Sequence, residues 1–450
     1  MAYAYWKAER HEEDSVFDLF FRKHPFAGEF TIFAGLEEVL RFCASYKFTP
    51  DDCSVLRAKF PHWDAGFWDY LSTLDCSRVR VYAVDEGSIV MPRVPLIRFE
   101  GPLGICQLLE TTVLVLINYA SLVATNAARH RLAVGHSKTL LEFGLRRAQG
   151  PDGAMSASRY AYLGGFDGTS NVKASVLFGI PVEGTHAHSY IVSFCSLNDV
   201  LDPMLADTKG QERDFVAVVL GYRAQLAKNN TNNGELAAFI GYAQAYPRSF
   251  VALIDTYDVL ESGLWNFLSV ALALGDFGYT PRGIRLDSGD LAYLSRSCRK
   301  AFVRCAEKFS RPCLASLSII ASNDLSEKVL WSLKEQGHEI DVFAIGTHLV
   351  TCKPQPALGC VYKLVEVKQQ PRIKVSQDSV KVTIPGRKEA YRLFNMNDEA
   401  VIDLLIATGT SQQTQHRKCK QRAQWLQQTL SMLAHALVLV CVPAQLLPCP

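Results

Sequence analysis

Four short apolar runs, each closed by polar or glycine residues and separated by helical stretches, restrict this chain to a fold built on parallel strands. The runs are Phe250-Val251-Ala252-Leu253-Ile254, Gly283-Ile284-Arg285-Leu286, Leu317-Ser318-Ile319-Ile320 and Ile340-Asp341-Val342-Phe343-Ala344-Ile345. Between them, Leu291, Leu294, Cys298, Phe302, Cys305 and Phe309 make one helical stripe, and Leu325, Val329, Leu330 and Leu333 make another, ended by Gly337. Short strands alternating with amphipathic helices predict βα units, in which the strands are covered on both faces. The runs are closed by Asp255-Thr256, Asp287-Ser288-Gly289-Asp290, Ser322-Asn323-Asp324 and Gly346-Thr347. Any one of these is an ordinary helix cap. Together they put polar groups where βα folds bind ligands, at the carboxyl ends of the strands.

Two flanking regions read differently. Val79, Val81 and Ala83 alternate with polar partners, and Pro92, Pro95 and Pro102 cut the adjoining stretch into short pieces, so residues 1–100 read as β-rich. A second β-rich patch runs from Val361 to Leu393, with turns at Gln369-Gln370-Pro371-Arg372 and Pro385-Gly386. The expected organisation is a β-rich domain over 1–100, an α/β barrel over 101–351, a return to the β-rich domain over 352–408, and a separate, divergent and poorly ordered tail over 409–450.

A net charge of +2 on 450 residues gives no basic surplus for nucleic acid. The 13 cysteines include no C-x-x-C pair and suit reduced thiols. The N-terminus lacks the charged-then-apolar order of a signal peptide, so a cytosolic protein is expected. Between Leu103 and Val123 the only charge is Glu110, but Gln107, Asn118 and several hydroxyls favour a buried helix over a membrane span. The apolar stretch Leu430–Val442 is short for a span and is cut off by Pro443.

The chemistry gathers in a few segments. Gly184-Thr185-His186-Ala187-His188-Ser189 precedes the strand-like Tyr190-Ile191-Val192, and two histidines two apart on a strand share a face. They are open to three readings: a metal pair short of a third ligand, a nucleophile or acid–base toward phosphorus, or hydrogen-bonded strand-end residues. In Arg285-Leu286-Asp287-Ser288-Gly289-Asp290, alternation brings Arg285 and Asp287 together. That pair is either a buried ion pair or a carboxylate- or phosphate-binding fork beside aspartates for ribose hydroxyls or a divalent cation. Ser322, Asn323, Gly346 and Thr347 offer N–H groups and hydroxyls at helix starts, a seat for phosphate. Gly164 to Val172 is a glycine-rich turn entering a helix, and Arg146-Arg147 reads as the basic end of a helix closing near Gly150-Pro151.

The segments F-G-L-R-R-A-Q-G-P-D-G (Phe143 to Gly153), G-G-F-D-G-T-S-N-V, G-T-H-A-H-S, F-V-A-L-I-D-T-Y-D, R-L-D-S-G-D and F-A-I-G-T-H, taken in this order, resemble the nicotinate phosphoribosyltransferases in their animal form. The resemblance runs from Met1 to about Leu405 and implies a type II phosphoribosyltransferase fold, an irregular α/β barrel with a β-rich second domain. It implies a homodimer that joins nicotinate to 5-phosphoribosyl 1-pyrophosphate, with ATP as co-substrate and Mg2+ as cofactor, giving nicotinate mononucleotide and pyrophosphate. By the same resemblance, Thr185, Arg285, Ser170 and Arg146 contact nicotinate. Thr347, Gly346, Ser322, Asn323, Asp255 and Asp287 surround the phosphoribosyl donor. His188 is phosphorylated by ATP, Asp287 and Asp290 face magnesium, and His188, Asp287 and Arg285 are the catalytic set. Ser170 falls where nicotinamide-using relatives carry an aspartate, which would repel nicotinate's carboxylate. The family's D-L-Y-Q segment precedes the position matching Met1, and the match stops near Thr408, where the Gln-rich, basic and then apolar tail resembles an alternative or out-of-frame ending. The alternative to an active transferase is a truncated, non-catalytic form that binds ligand or a partner subunit.

Overall fold

A computed structural model describes residues 1–395, 397, 399–408 and 437–438. The expectation of a separate tail over 409–450 falls almost wholly outside them. The chain forms two compact units, one from Met1–Thr125 and Pro354 onward, the other from Asn126–Lys353. The first division falls inside a continuous 32-residue helix, Leu103–Val134, which offers no turn signal to mark it. This helix is long and apolar enough to cross a membrane, but half of its most apolar window is buried within the protein, as in a core helix.

In the first unit an antiparallel sheet runs in the order Gln370–Pro371, Cys360–Val367, Asp14–Phe21, Ile97–Pro102, Arg80–Ala83. Seven of the eight residues of Asp14–Phe21 are buried, which explains its near-continuous apolar run. Asp18 is among them, and its carboxylate takes the Lys388 ammonium at 2.6 Å. Burial holds the Asp18 carboxyl above the usual range, with Lys388 opposing.

The first hundred residues are less β-rich than expected, because helices occupy Leu36–Ala44, Pro50–Lys59 and Ala65–Ser72. The second carried a readable start signal. Thr49 and Asp52 form a reciprocal capping box around Pro50, so two otherwise orphaned backbone donors are satisfied before the first turn closes.

In the second unit six parallel strands run in the order Val251–Leu253, Gly283–Leu286, Ser318–Ala321, Val342–Ile345, Thr139–Glu142, Gly168–Thr169. A parallel bridge from Thr169 to Val182 extends the far edge. All four apolar runs form strands within this sheet, shifted by at most two residues at either end. Ile284 and Leu286 are fully buried, as are Cys298 and Phe302 on the Leu291–Lys308 helix, so that helix's stripe is a core face. The second stripe lies on Glu327–Gln336, capped by Ser326 and ended at Gly337, whose φ of 70° is the left-handed turn that glycine permits. Strand alternation sends Arg285 to the opposite face, where Leu141, Val251, Ile320 and Ala344 pack together with Phe143 and Val342 against them.

Two local expectations fail. Tyr190-Ile191-Val192 is helical, within His188–Val192, and the residues before it are irregular, so His186 and His188 do not share a strand face. Beyond the isolated bridge at Val182 the chain is in no strand, so side-chain alternation does not constrain it. Arg146 and Arg147 do not close a helix either: they lie in a 3-10 turn, and Gly150-Pro151 opens the helix Gly150–Leu163. Proline at the start of a helix has no N–H to lose and its φ is preset, so it marks a start more readily than a stop.

Candidate active site

The carboxyl ends of Val251–Leu253, Gly283–Leu286 and Ser318–Ala321 are adjacent, with Leu253 in register with Arg285 and Arg285 with Ile320. That register places Asp255, Asp287 and Ser322 side by side just beyond the sheet. The guanidinium of Arg285 is the hub. Its Nη1 donates to Thr185 Oγ1 at 2.9 Å, its Nε to Ser322 Oγ at 2.9 Å and its Nη2 to Asp287 Oδ1 at 3.2 Å. The Phe143 ring lies beneath it, with 5.6 Å from Cζ to the ring centroid. The Ser322 hydroxyl closes the loop by donating to Asp287 Oδ1. Three partners on a planar fork fix the orientation of this cation, as a lysine ammonium cannot.

Asp255 locks the next layer. Its Oδ2 accepts the Asp287 N–H at 2.9 Å and the Ser288 hydroxyl at 2.5 Å, whereas its buried Oδ1 has no hydrogen-bond partner. His188 stands above the two carboxylates. Its Nδ1 pairs with Thr256 Oγ1 at 3.0 Å, and its Nε2 lies 3.6 Å from Asp287 Oδ2 and 4.0 Å from Asp255 Oδ1. The His188 side chain is 44% exposed while that of Asp255 is 1% exposed, so a ligand approaching from solvent meets the imidazole first. Two aspartates against one arginine leave an excess of negative charge that a further cation offsets.

His186 is placed quite differently. It is buried among Tyr190, Tyr242 and Phe239, and its Nε2 accepts the Leu253 N–H at 3.2 Å. Burial pushes its pKa down to about 4, helped by nearby Arg285 and His188 and opposed by the Ala187 backbone. It is neutral at pH 7. The two histidines therefore do not make a metal pair, and no cluster of three or more His, Cys, Asp or Glu suited to a metal occurs among the described residues.

The remaining expected residues lie at strand ends and turns of the same unit. Ser170 comes directly after Gly168–Thr169, its N–H donating to the Glu142 carbonyl at 2.9 Å and its hydroxyl reaching the same oxygen at 3.4 Å. Arg146 is exposed on its 3-10 turn. Asn323 and Asp324 have φ of 82° and 45°, a left-handed pair that turns the backbone sharply after Ser322. Gly346 caps the short helix Thr347–Thr351 at the end of Val342–Ile345, with Thr347 half-buried. Asp290 lies outside the cluster: it caps Leu291–Lys308 by accepting the Tyr293 N–H at 2.9 Å, and it is solvent-exposed.

Two buried carboxyls escape a reading of the sequence. Glu142 ends the apolar Thr139–Glu142 strand and accepts from the Gly144 N–H, from Ser158 Oγ at 2.8 Å and from Thr169 Oγ1 at 2.5 Å, which fixes the backbone under Ser170. A charge at the end of Leu140-Leu141 was the available signal. Glu235 is fully buried and bonds Ser262 at 2.6 Å and Asn266 at 2.9 Å. Burial raises its pKa to about 7, with Asp255 and Asp258 adding to the effect.

Residues 1–118 match the family model described as the nicotinate phosphoribosyltransferase N-terminal domain, and residues 139–418 match that of the nicotinate phosphoribosyltransferase family. The chain is 58% identical over 406 residues to a nicotinate phosphoribosyltransferase of Dictyostelium discoideum, covering 90% of this chain and 69% of the relative. It is 48% identical over 414 residues to that of Homo sapiens, covering 90% and 77%. The crystal structure of human nicotinic acid phosphoribosyltransferase superposes with a TM-score of 0.82 at 45% identity, over 91% of this chain and 80% of that one. A nicotinate-nucleotide pyrophosphorylase from Pyrococcus furiosus shares the fold, with a TM-score of 0.59 at 20% identity.

Proposed function

The chain belongs to the nicotinate phosphoribosyltransferase family, and from that premise we propose that it joins nicotinate to 5-phosphoribosyl 1-pyrophosphate at the strand ends around Arg285. The observation that carries this reading is the Arg285 fork, fixed by Thr185, Ser322 and Asp287 over the Phe143 ring and facing two aspartates and an exposed histidine. All of these groups are present and mutually oriented, so a binding-only role is not favoured.

The chemistry arises from placement. Nicotinate's carboxylate is held by Arg285 and Thr185, with Arg146 on the approach, and its ring nitrogen is directed toward the ribose. Ser170 presents a neutral hydroxyl, which leaves the substrate carboxylate unopposed. Ser322, Asn323, Gly346 and Thr347 hold the donor's 5-phosphate through backbone N–H groups and hydroxyls. The nitrogen lone pair forms the new bond to the anomeric carbon as the bond to pyrophosphate breaks. The positive charge that builds on the ribose faces Asp287, with Asp255 beside it.

The donor set suits Mg2+, which commonly takes one or two carboxylates and otherwise water and phosphate oxygens. Asp255 Oδ1, buried without a partner, and Asp287 Oδ2 fit that role, and Asp290 would reach the ion only through water. Bound there, the ion supplies charge neutralisation for the leaving pyrophosphate.

ATP enters through His188. With the Nδ1 proton donated to Thr256, the Nε2 lone pair is free to attack the γ-phosphorus of ATP, and the bond to ADP breaks. The phosphohistidine then sits beside Asp255 and Asp287, where its hydrolysis can be coupled to the grip on the donor. A homodimer accords with the exposed apolar face of the Val172–Phe178 helix, where Val172, Val176 and Leu177 are 64%, 79% and 59% exposed, and a cytosolic setting accords with the ten free cysteines among the described residues. Nicotinate-dependent release of pyrophosphate by the purified chain tests this reading. No release at saturating substrates with ATP and Mg2+ would refute it.

A further inference from the structure

The sheet of the second unit has an open seam, and His186 lies in it. The Val251–Leu253 strand pairs only with Gly283–Leu286 among the described residues, while the opposite end of the sheet is reached at Val182, bridged to Thr169. The Ile254 N–H goes to the Arg285 carbonyl at 3.2 Å. Successive N–H groups of a strand point to opposite edges, so the Leu253 N–H faces the side that has no neighbouring strand. A buried N–H with no acceptor there is costly. His186 Nε2 accepts it at 3.2 Å, four residues beyond Val182, and so stands in for the missing strand.

The consequence reaches the site because the same short segment carries Thr185 and His188. It is fastened twice, by His186 to Leu253 at the end of one strand and by His188 to Thr256 Oγ1, three residues beyond that end, at 3.0 Å. Beside these two anchors, Thr185 Oγ1 meets Arg285 at 2.9 Å. We propose that His186 is a positioning residue: its unprotonated Nε2 clips the Gly184–His188 segment to the open edge of the strand that bears Asp255, and thereby sets Thr185 against Arg285 and His188 against the two aspartates. This rests on the phosphoribosyl-transfer reading above and assigns a role to the histidine that the family resemblance leaves without one.

The surroundings keep the imidazole an acceptor. The groups facing it are Tyr190 and Tyr242, with ring centroids 5.6 and 4.7 Å away, the apolar Phe239 at 6.4 Å, and the positive or protonatable Arg285 and His188. None is a carboxylate that would hold a proton on the ring. Protonation of Nε2 would convert acceptor to donor against a backbone N–H, and the clip would open.

The experiment compares His186→Gln, which offers a carbonyl oxygen near the Nε2 position, with His186→Leu, which fills the volume without an acceptor. Steady-state rates against nicotinate and 5-phosphoribosyl 1-pyrophosphate are read beside 32P transfer from [γ-32P]ATP to His188. We expect His186→Leu to lose about ten- to a hundredfold in kcat/KM, as for a displacement of about 1 Å at a site, together with a parallel loss of label. We expect His186→Gln to recover most of both. A folded His186→Leu protein with unchanged kinetics and labelling overturns the proposal, as does equal impairment of the two variants. Should the leucine variant not fold, 15N-histidine NMR of the whole protein decides the matter. The signal lost in His186→Gln should report a neutral ring with Nε2 unprotonated from pH 8 down to about 5, and titration near 6.5 overturns the proposal. Lack of turnover by the unsubstituted protein counts against the transferase reading instead, and the NMR signal still reports on His186.

Discussion

Replacing Arg285 by lysine keeps the charge at the centre of the site and removes the planar fork. The native guanidinium divides its donors among Thr185, Ser322 and Asp287 at 2.9, 2.9 and 3.2 Å while retaining N–H groups for a substrate carboxylate. An ammonium has three donors and no fixed plane, so it cannot serve Ser322 and Thr185 and also grip a carboxylate with two parallel bonds. The expected deficit is one charge-assisted hydrogen bond to nicotinate, about 1.5–3 kcal/mol. At about 1.4 kcal/mol per factor of ten, kcat/KM falls by roughly ten- to 150-fold. The loss should appear chiefly in the KM for nicotinate, because the carboxylate is held equally in ground and transition states. Initial rates of pyrophosphate release across a nicotinate series measure it, with circular dichroism confirming the fold. Arg285→Met should be worse, since it leaves Asp287 without its cation. A lysine variant within twofold of the unsubstituted protein would refute the assignment of Arg285 to the nicotinate carboxylate.

Three further outcomes are expected from the site. His188→Gln should abolish acid-labile 32P transfer from ATP and its stimulation of turnover, and retained labelling would show that another residue accepts the phosphate. Ser170→Asp places a second carboxylate near nicotinate's own, a repulsion of about 1–3 kcal/mol depending on the local dielectric. The KM for nicotinate should therefore rise at least about fivefold, with little change for uncharged nicotinamide if that ring is accepted at all. Glu235→Gln tests the buried carboxyl, whose native pKa of about 7 lies above its unfolded value. A raised carboxyl pKa gives stability that is fully present below the unfolded value and lost as pH rises through 7, so the variant should match the native protein near pH 4.5 and exceed it by up to about 3 kcal/mol at pH 8. Denaturant melts at the two pH values check this, and an equal difference at both would contradict it.

Much of the fold was legible in the chain because parallel strands buried on both faces leave continuous apolar runs. Gly283–Leu286 is such a run, and the one charge it tolerates, Arg285, proves to be the hub of the site. The polar residues after the strands were legible for the same reason, since a strand that ends in a loop exposes what comes next. The helices over 36–72 were missed because the alternation at Val79, Val81 and Ala83 and the prolines Pro92, Pro95 and Pro102 set the reading of the whole region, although the Thr49-Pro50-Asp51-Asp52 start was visible. The two histidines were separable only in three dimensions. Sequence spacing puts them on one face, whereas the absence of a strand beyond the bridge at Val182 frees the segment to bury His186 and expose His188. Glu142 left only a charge at the end of an apolar run, and Glu235 no signal, because a lone acidic residue does not announce its partners, which come from Ser158 and Thr169 in one case and Ser262 and Asn266 in the other.

The most direct test of the account is product formation by the purified chain with 5-phosphoribosyl 1-pyrophosphate, Mg2+ and ATP, using nicotinate or nicotinamide as acceptor. Nicotinate mononucleotide and stoichiometric pyrophosphate should appear with nicotinate, at a rate that far exceeds any turnover of nicotinamide. No nucleotide from nicotinate, or equal use of the two rings, would contradict the assignment of Arg285, Thr185 and Ser170 to a carboxylate-selective site.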